Sequence, residues 1–236
     1  MGDYTNMSAY YDLIMTSGYY DYNKIVDALI QHQPFSHVLE IGCGTGLIME
    51  TLAKRQPQIA ITGVDLTPAM LSIAQQRLQT HPQVKLLHQN VTELNLAAVY
   101  DLAFSYGGVW YFVIDGDKEP FLVSHIAQDA PNRQGLDSVA KHIKAGGQLL
   151  LGVQGPHHDY ASPISNGMMY SQKIEFAEHG FTKHYYLSDG DKTLMAQTIQ
   201  YRTYAFADAL EMLQGFGFTY QPYAGDKPQF LSFTKS

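Results

Sequence analysis

The sequence predicts an α/β fold, in which a mostly parallel sheet of seven strands carries helices on both faces and an antiparallel insertion follows the fifth strand. Two observations predict it. Apolar runs of strand length alternate with helix-length apolar patterns from about residue 22 to residue 153, as in βαβ units. Residues 173–201 instead alternate like strands around a turn at 188–191, which is typical of antiparallel hairpins.

The boundaries of these elements follow from apolar periodicity and from the positions of glycine and proline. Strands are predicted at residues 37–41, 59–64, 84–87, 100–105, 147–153, 218–223 and 229–233. Helices are predicted at residues 22–31, from 47 to the proline at 57, at 68–78, at 136–143 and at 204–214. Thr67 is expected to cap the third helix with Pro68 at its first position. The turn Ala145-Gly146-Gly147 is expected to precede the fifth strand.

Composition limits the class of protein. With 236 residues, 45% of them hydrophobic, the chain is large enough for one domain with a sizeable core. The formal net charge is −7 and no block of lysine and arginine occurs, so nucleic acid is not an expected partner. The single cysteine excludes an internal disulfide and suits a reducing cytoplasm. No apolar run approaches the roughly 20 residues that span a bilayer, and residues 1–6 lack the features of a secretion signal.

The first strand-to-helix turn is glycine-rich. Gly42, Gly44 and Gly46 stand at alternate positions, where they permit positive φ and let a ligand approach the backbone. A dinucleotide site requires the spacing G-x-G-x-x-G, which fails because position 47 is leucine. Asp65 ends the second strand, where a carboxylate can accept hydrogen bonds from both ribose hydroxyls. This pattern favours a nucleoside without a pyrophosphate, and an ordinary turn with a helix cap is the alternative.

Three segments resemble motifs of the class I S-adenosylmethionine-dependent methyltransferases, which have a Rossmann-like fold. The first is VLEIGCGTG at residues 38–46, the second spans residues 63–71, and the third spans residues 143–151. Together they cover the chain from about residue 35 to residue 153. The resemblance implies an S-adenosylmethionine-dependent methyltransferase acting on a small molecule.

The resemblance also implies which residues contact the cofactor. Glu40 and Gly42 would lie near its methionine part, Asp65 would hold the ribose, and Leu66 and Met70 would flank the adenine. The full set of expected cofactor-binding residues is Tyr11, Glu40, Gly42, Cys43, Gly44, Gly46, Asp65, Leu66, Met70, Asn90, Val91 and Ser105.

Asn90 departs from the family pattern, which often has an acidic residue facing the adenine amino group at this place. The carboxamide oxygen of Asn90 is still able to accept that hydrogen bond. A purely structural role in the turn is the alternative.

The methyl acceptor is expected near residues 105–110, because the family places groups next to the reactive methyl after the fourth strand. The Asn- or Asp-Pro-Pro-aromatic motif of enzymes that methylate nucleic-acid bases is missing there. Catalytic candidates are Tyr106, Tyr19 and the loop histidines His157 and His158, which follow the fifth strand. Either histidine is able to act as a base, and a solvated loop position is the alternative.

The N-terminal segment holds six of the 17 tyrosines within its first 22 residues. Residues 10–14, Tyr-Tyr-Asp-Leu-Ile, resemble the start of amino-sugar N,N-dimethyltransferases. Residues 1–21 are therefore expected to form a lid over the cofactor, although packing alone would also explain the rings. The other expected segments of this single domain are the cofactor-binding core at 22–153, the acceptor-side insertion at 154–203, and the C-terminal helix with the last two strands at 204–236.

Two further features allow more than one interpretation. The insertion adds side chains suited to an acceptor pocket, a homodimer contact or both: Met168, Met169, Tyr170, Phe176, His184, Tyr185 and Tyr186. Asp115, Asp117 and Glu119 crowd the loop after the fourth strand, as in a divalent metal site or in a solvated helix cap. We expect no metal.

The sequence thus predicts methyl transfer to a nitrogen or oxygen of a small metabolite. Nitrogen is favoured because no convincing base or metal site is evident. One alternative is an O-methyltransferase that uses a loop histidine as base. Others are an aminopropyl transferase, whose paired acidic motif is missing here, and a cofactor-binding regulatory subunit without activity.

Overall fold

The computed structural model describes residues 4–223 and 228–236. The α-helices of this part are α1 (Ser8–Ile14), α2 (Tyr22–Ile30), α3 (Leu47–Arg55), α4 (Pro68–Leu78), α5 (Asp129–Ala140) and α6 (Phe206–Gln214), and a π-helix (Met15–Tyr19) and a 3-10 helix (Val91–Glu93) are also present. The strands are β1 (His37–Ile41), β2 (Ala60–Asp65), β3 (Val84–His88), β4 (Tyr100–Ser105), β5 (Trp110–Val113), β6 (Phe121–Ser124), β7 (Ile143–Gln154), β8 (Tyr160–Pro163), β9 (Met169–Ala177), β10 (Gly180–Asp189), β11 (Lys192–Ala205), β12 (Phe218–Gln221) and β13 (Phe230–Lys235). Within these ranges no helix is long and apolar enough to cross a lipid bilayer.

Seven strands form the main sheet in the order β3-β2-β1-β4-β7-β13-β12. Strands β3, β2, β1, β4 and β7 pair in parallel, whereas β13 is antiparallel to both β7 and β12. The parallel strands bring their carboxyl ends to one edge, which is where open α/β sheets bind ligands. The predicted α/β fold with a mostly parallel seven-stranded sheet is confirmed.

The antiparallel insertion belongs to the same sheet. The hydrogen-bonded path continues from β7 through β5, β6, β11, β10 and β9 to β8. Strand β5 pairs in parallel with residues 152–154 at the carboxyl end of β7, and the β5–β6 and β6–β11 pairs are antiparallel. The insertion was predicted, but β5 and β6 were missed. Almost every residue of these four-residue strands is buried, so they lack the alternation that reveals a strand.

Two boundaries next to β7 differ from the prediction. The helix predicted at 136–143 is α5, which begins at Asp129 and ends at Ala140. Pro131 lies in its first turn, where a missing backbone N–H is tolerated. The predicted turn at 145–147 lies inside β7, where the register with β4 shifts. Gly146 has a φ of 76° there, a conformation that glycine supplies to bulges.

The apolar side chains form one cluster on each face of the main sheet and a third cluster beside it. In the third cluster Met7, Ile14 and Met15 of the N-terminal segment pack with inward-facing residues of the insertion such as Leu187 and Ile199. The N-terminal segment and the insertion therefore share one apolar core. Residues 1–3 of the predicted lid and 224–227 of the C-terminal segment lie outside the described residues.

A buried hydrogen-bond network fixes the β5–β6 hairpin to α5. Asn132 is fully buried, and its Oδ1 accepts from Trp110 Nε1 at 2.8 Å and from Ser124 Oγ at 2.6 Å. Its Nδ2 donates to the carbonyl oxygens of Ile126 and Gln128. One carboxamide thus satisfies four buried polar groups, which is how buried polar side chains are tolerated.

We expect Asn132→Ala to lower the free energy of unfolding by about 2–4 kcal/mol, because it leaves buried donors on Trp110 and Ser124 without an acceptor. Denaturant unfolding followed by circular dichroism measures the change. The matched control is Arg133→Ala, which removes an exposed ion pair with Asp129 and should cost less than about 1 kcal/mol. Equal unfolding midpoints for the two variants would contradict a structural role for the network.

Candidate functional site

The turn between β1 and α3 forms an open backbone cradle. The N–H groups of Gly42 and Cys43 donate to the carbonyl oxygen of Val64 at 2.9 and 3.1 Å. Gly42 and Gly44 have φ values of 74° and 53°, which favour glycine. A Cβ at Gly42 would lie 3.0 Å from the Cα of Gly108. Both the backbone angles and the close approach of the loop after β4 therefore require glycine at position 42.

Asp65 is held at the end of β2 by two backbone donors. Its Oδ2 accepts from the N–H of Gly44 and its Oδ1 from the N–H of Thr67, each at 2.8 Å. Burial raises the pKa of Asp65, and the backbone donors oppose that rise. Each carboxylate oxygen keeps acceptor capacity toward the cavity. Thr67 is the N-cap residue of α4 as predicted, but its side chain makes no capping hydrogen bond.

A cavity of about 950 Å³, part of it open to solvent, begins at this turn. One part, here called the glycine end, is lined by Gly42, Gly44, Asp65, Leu66, Thr67, Met70, Gln89 and Val91. The opposite part, here called the tyrosine end, is lined by Tyr4, Tyr19, Tyr111, His125, Tyr170, Lys183, Tyr185 and Tyr201.

A smaller cavity of about 310 Å³ adjoins the first and shares Tyr11, Tyr20 and Gly42 with it. Glu40 lines this smaller cavity and is almost fully buried. Its Oε2 has no hydrogen-bond partner. Burial, with a smaller contribution from Asp65, raises the pKa of Glu40 well above its usual value. A buried carboxylate oxygen without a partner is costly unless a ligand cation or donor reaches it.

Most of the expected cofactor-binding residues line one of the two cavities. These are Tyr11, Glu40, Gly42, Cys43, Gly44, Asp65, Leu66, Met70 and Val91. They come from the N-terminal segment, β1, the glycine turn, β2, α4 and the turn after β3. The sheet topology therefore brings together residues that are far apart in the chain.

Three other residues lie elsewhere. A Cβ at Gly46 would lie 2.8 Å from Leu78, so this glycine lets α3 pack on α4 and does not line the cavities. The Asn90 carboxamide oxygen accepts from the N–H of Thr92, and the alternative of a structural role in the turn fits this contact. Ser105 is buried, and its Oγ accepts from the N–H of Trp110. All three make structural contacts, and their predicted contact with the cofactor stays a prediction.

The four catalytic candidates are separated. Tyr19 lines the tyrosine end. Tyr106 instead lines the smaller cavity, where its hydroxyl donates to Gln229 Oε1 at 2.9 Å and burial raises its pKa to about 12. His158 is exposed in the loop after β7, where the solvated alternative fits. His157 lies behind the cavity wall, with Nε2 3.0 Å from the hydroxyl of Tyr111.

Two residues at the tyrosine end were missed from the sequence. His125 follows β6, and its Nδ1 lies 3.3 Å from the hydroxyl of Tyr4. Lys183 lies on β10, and its Nζ is 3.0 Å from His157 Nδ1. The signal for Lys183 was available, because the alternate residues Phe181, Lys183, Tyr185 and Leu187 form the buried face of β10. Nothing in the local sequence marks His125.

Of the insertion residues expected to form an acceptor pocket, only Tyr170 and Tyr185 line the cavity. Met169 and Phe176 are exposed. His184 and Tyr186 occupy the positions of β10 that alternate with its buried face. The expectation combined residues from both faces of the strands, whereas the sheet presents only one face to the cavity.

The basic groups at the tyrosine end are held toward their neutral forms. Burial, and then the nearby Lys183, lower the pKa of His125 to about 3 and that of His157 to about 3. Burial alone lowers the pKa of Lys183 to about 7. Burial raises the pKa of Tyr4 to about 12 and those of Tyr185 and Tyr201 well above their usual value.

The N-terminal segment forms one wall of the cavity through Tyr4, Met7, Tyr11, Met15, Tyr19 and Tyr20. A polar cluster attaches this segment to the core. Asp12 accepts from Thr45 Oγ1 at 2.5 Å and from Arg77. Arg77 also donates to the carbonyl oxygen of Thr45 and to Glu50. These contacts, here called the Asp12 cluster, tie α1 to the turn that carries the glycines.

The acidic loop at 115–119 connects β5 and β6. Asp115 accepts from Lys118 at 2.5 Å. Across residues 4–223 and 228–236, no group of three or more His, Cys, Asp or Glu side chains is arranged to hold a metal ion.

Residues 38–128 match the family model of the methyltransferase domain. The chain is 39% identical over 75 residues to a malonyl-[acyl-carrier protein] O-methyltransferase of Priestia megaterium, a match covering 32% of this chain and 27% of that protein. It is 30% identical over 138 residues to a trans-aconitate 2-methyltransferase of Deinococcus radiodurans, with 58% of this chain and 45% of that protein covered. These matches span less than half of either relative's length.

The S-adenosylmethionine-bound structure of CalS10, an amino pentose methyltransferase from Micromonospora echinaspora, is similar over 96% of each chain. Its TM-score is 0.71 and its sequence identity is 15%, so the likeness concerns the fold. The family match, the sheet order and the glycine turn agree with one another. Residues 38–128 thus match a methyltransferase domain, within a chain that has the fold of an S-adenosylmethionine-dependent methyltransferase.

Proposed function

We propose that this protein transfers the methyl group of S-adenosylmethionine to a nitrogen or oxygen atom of a small molecule. The observation that carries the proposal is a single cavity, in which a glycine end suited to a nucleoside opens toward an enclosed tyrosine end. A cofactor with its adenosine part at the glycine end would extend its methionine part into the adjoining smaller cavity. The tyrosine end is then lined by buried aromatic side chains, as expected for the site of a small acceptor.

The glycine end fits the adenosine part of the cofactor. Asp65 is fixed by Gly44 and Thr67 with acceptor capacity toward the cavity, as two ribose hydroxyls require. Leu66, Met70 and Val91 supply apolar surface in the same wall, which suits an adenine ring. The narrow space at Gly42, where a Cβ would meet Gly108, permits close backbone approach.

The smaller cavity fits the methionine part. An ammonium group there would reach Glu40, whose Oε2 is buried and without a partner. The charge of that ammonium would stabilise the ionised carboxylate against the burial that raises its pKa. The observation comes from a buried polar atom and not from the family resemblance, so it supports the cofactor independently.

Bound S-adenosylmethionine supplies an electrophilic methyl group on a sulfonium, so the transfer requires an aligned acceptor atom with a free lone pair. The tyrosine rings and the N-terminal segment line this part of the cavity, where they would shield the sulfonium from water. Lys183 has a pKa of about 7, so a basic group is present where the sequence suggested none. The preference for a nitrogen acceptor rested on that expected absence, and both atoms therefore stay within the proposal.

The function is tested by two measurements on the wild type. Calorimetry should detect saturable binding of S-adenosylmethionine and S-adenosylhomocysteine. A panel of amines, phenols and carboxylic acids incubated with methyl-labelled cofactor should then yield at least one labelled product. Failure to bind either cofactor form would refute the proposal, and binding without transfer to any acceptor would favour a regulatory subunit.

Asp65→Ala should weaken S-adenosylhomocysteine binding by about 10- to 100-fold, because hydrogen bonds to a charged group contribute about 1.5–3 kcal/mol. Isothermal titration calorimetry gives the dissociation constant, and circular dichroism checks that the turn still folds. Asp137→Ala is the matched control, since this exposed carboxylate pairs with Lys141 on the surface of the protein. An affinity for Asp65→Ala within twofold of the wild type would exclude Asp65 as a ribose ligand.

Asp12→Ala removes the two contacts of the Asp12 cluster that hold the N-terminal segment, those with Thr45 and Arg77, and keeps the contacts from Arg77 to Thr45 and Glu50. We expect the dissociation constant of the cofactor to rise about 3- to 30-fold, because lost polar contacts of about 1–2 kcal/mol no longer hold the N-terminal segment in place. The segment should also become more sensitive to limited proteolysis. Asp27→Ala, which removes a surface pair with Arg55, serves as the control and should change neither quantity. Unaltered affinity and proteolysis would mean that the segment is merely packed.

A further inference from the structure

A lysine, Lys183, lies at the tyrosine end of the cavity, on the buried and otherwise mostly apolar face of β10. Lys183 is only 2% exposed and alternates on the buried face of β10 with Phe181, Tyr185 and Leu187. Its side chain reaches the cavity wall. Lysine is almost never fully buried unless it is paired.

This lysine has no acidic partner among the residues that the structure describes. None of the ion pairs among residues 4–223 and 228–236 includes it. Its ammonium instead lies 3.0 Å from His157 Nδ1 and 5.6 and 5.9 Å from the ring centres of Tyr185 and Tyr201. His125, another basic group at this end, has no acidic partner either in the part of the chain that the structure describes. The groups around Lys183 are therefore bases, rings and hydroxyls.

The surrounding hydroxyls are arranged as a chain. Tyr185 and Tyr201 share a hydrogen bond of 2.6 Å, and the hydroxyl of Tyr4 lies 3.1 Å from that of Tyr201. The hydroxyl of Tyr111 lies 3.0 Å from His157 Nε2. Phenol hydroxyls donate to an incoming oxygen acceptor once they rotate away from each other. A positive charge surrounded by neutral donors is the composition of an anion site.

We propose that the acceptor of this enzyme carries a carboxylate, and that Lys183 binds this carboxylate at the tyrosine end with hydroxyls of neighbouring tyrosines. This assignment rests on the proposed methyl transfer and names the class of its acceptor. Lys183 is the one cationic side chain among the described residues that line the tyrosine end, and a single positive charge matches a carboxylate. Without an anion, burial destabilises the charged form of Lys183 and so lowers its pKa.

The first experiment observes Lys183 directly. The side-chain Nζ and Cε signals of isotopically labelled protein, assigned with Lys183→Met, are followed through a pH titration by NMR. Acetate should raise the pKa of Lys183 by at least one unit, whereas the neutral analogue acetamide should leave it unchanged. An equal response to both, or no response to either, overturns the proposal. A larger response to inorganic phosphate than to acetate would assign the site to phosphate and not to carboxylate.

The affinity for acetate should depend on pH in a direction set by Lys183. The anion requires the protonated amine, so affinity should be highest near pH 6 and should fall about tenfold per unit above pH 7, where the free lysine loses its proton. Among the described residues, the other titratable groups that face Lys183 do not titrate in this window: His125 and His157 are neutral above about pH 3, and the tyrosines Tyr4, Tyr111, Tyr185 and Tyr201 keep their protons. Acetate affinity that rises from pH 6 to pH 9 would contradict the assignment.

The second experiment measures turnover with a panel of small carboxylic acids and their primary amides, using methyl-labelled cofactor. Lys183→Met should raise KM for the acids by about 10- to 100-fold and leave that for the amides unchanged, and Lys183→Arg should restore part of the loss. A fall in kcat of equal size for acids and amides would make Lys183 a general base and overturn the proposal. Lys173→Met, an exposed substitution on β9, is the control.

The two proposals fail separately. Calorimetry with S-adenosylhomocysteine on the same samples reports the cofactor site alone. Binding of S-adenosylhomocysteine without any acetate effect on Lys183 overturns only the carboxylate assignment. If acetate raises the pKa of Lys183 in a protein that binds no cofactor, the methyl-transfer proposal is overturned. Lys183 would then belong to an anion-binding site of another function.

Discussion

The pairing of β5 with the last residues of β7 is the contact on which the arrangement of the site depends. Through it the antiparallel strands continue the main sheet at the edge where the parallel strands end. The buried face of β10 and β11 is thereby brought opposite the glycine turn. The N-terminal segment then packs on both parts. A short stretch of backbone hydrogen bonds thus sets the distance between the two ends of the cavity.

The fold and the glycine end were predictable because their signals are local. Apolar runs of strand length predicted the parallel strands. The position of Asp65 at the end of one strand predicted that it lies beside the glycine turn, where it accepts from the N–H of Gly44. Gly46 and Asn90 stand within the same motifs, yet their contacts go to α4 and to a neighbouring turn. A motif gives the path of the backbone, whereas the direction of each side chain depends on what packs against it.

The tyrosine end was largely beyond sequence reasoning, because its residues come from the N-terminal segment, both strands of the β5–β6 hairpin region and the insertion. Pairing between strands that are far apart in the chain depends on the tertiary fold, and the apolar periodicity of the sequence does not indicate it. One feature of the tyrosine end was predictable, namely the alternation of buried and exposed side chains along β10. A choice of one face of that strand would have selected Lys183 and Tyr185 together and rejected His184, and would have identified a charged group within the buried face.

The chain's one tryptophan, Trp110, lies between α5 and the cavity wall. Trp110 is buried beside α5, its indole N–H bonded to Asn132, while the preceding residue, Val109, forms part of the cavity wall. Indole emission responds to changes in hydrogen bonding and local polarity. The protein therefore contains its own optical reporter, free of any competing tryptophan, through which events in the cavity and in the hairpin scaffold are observable without a label.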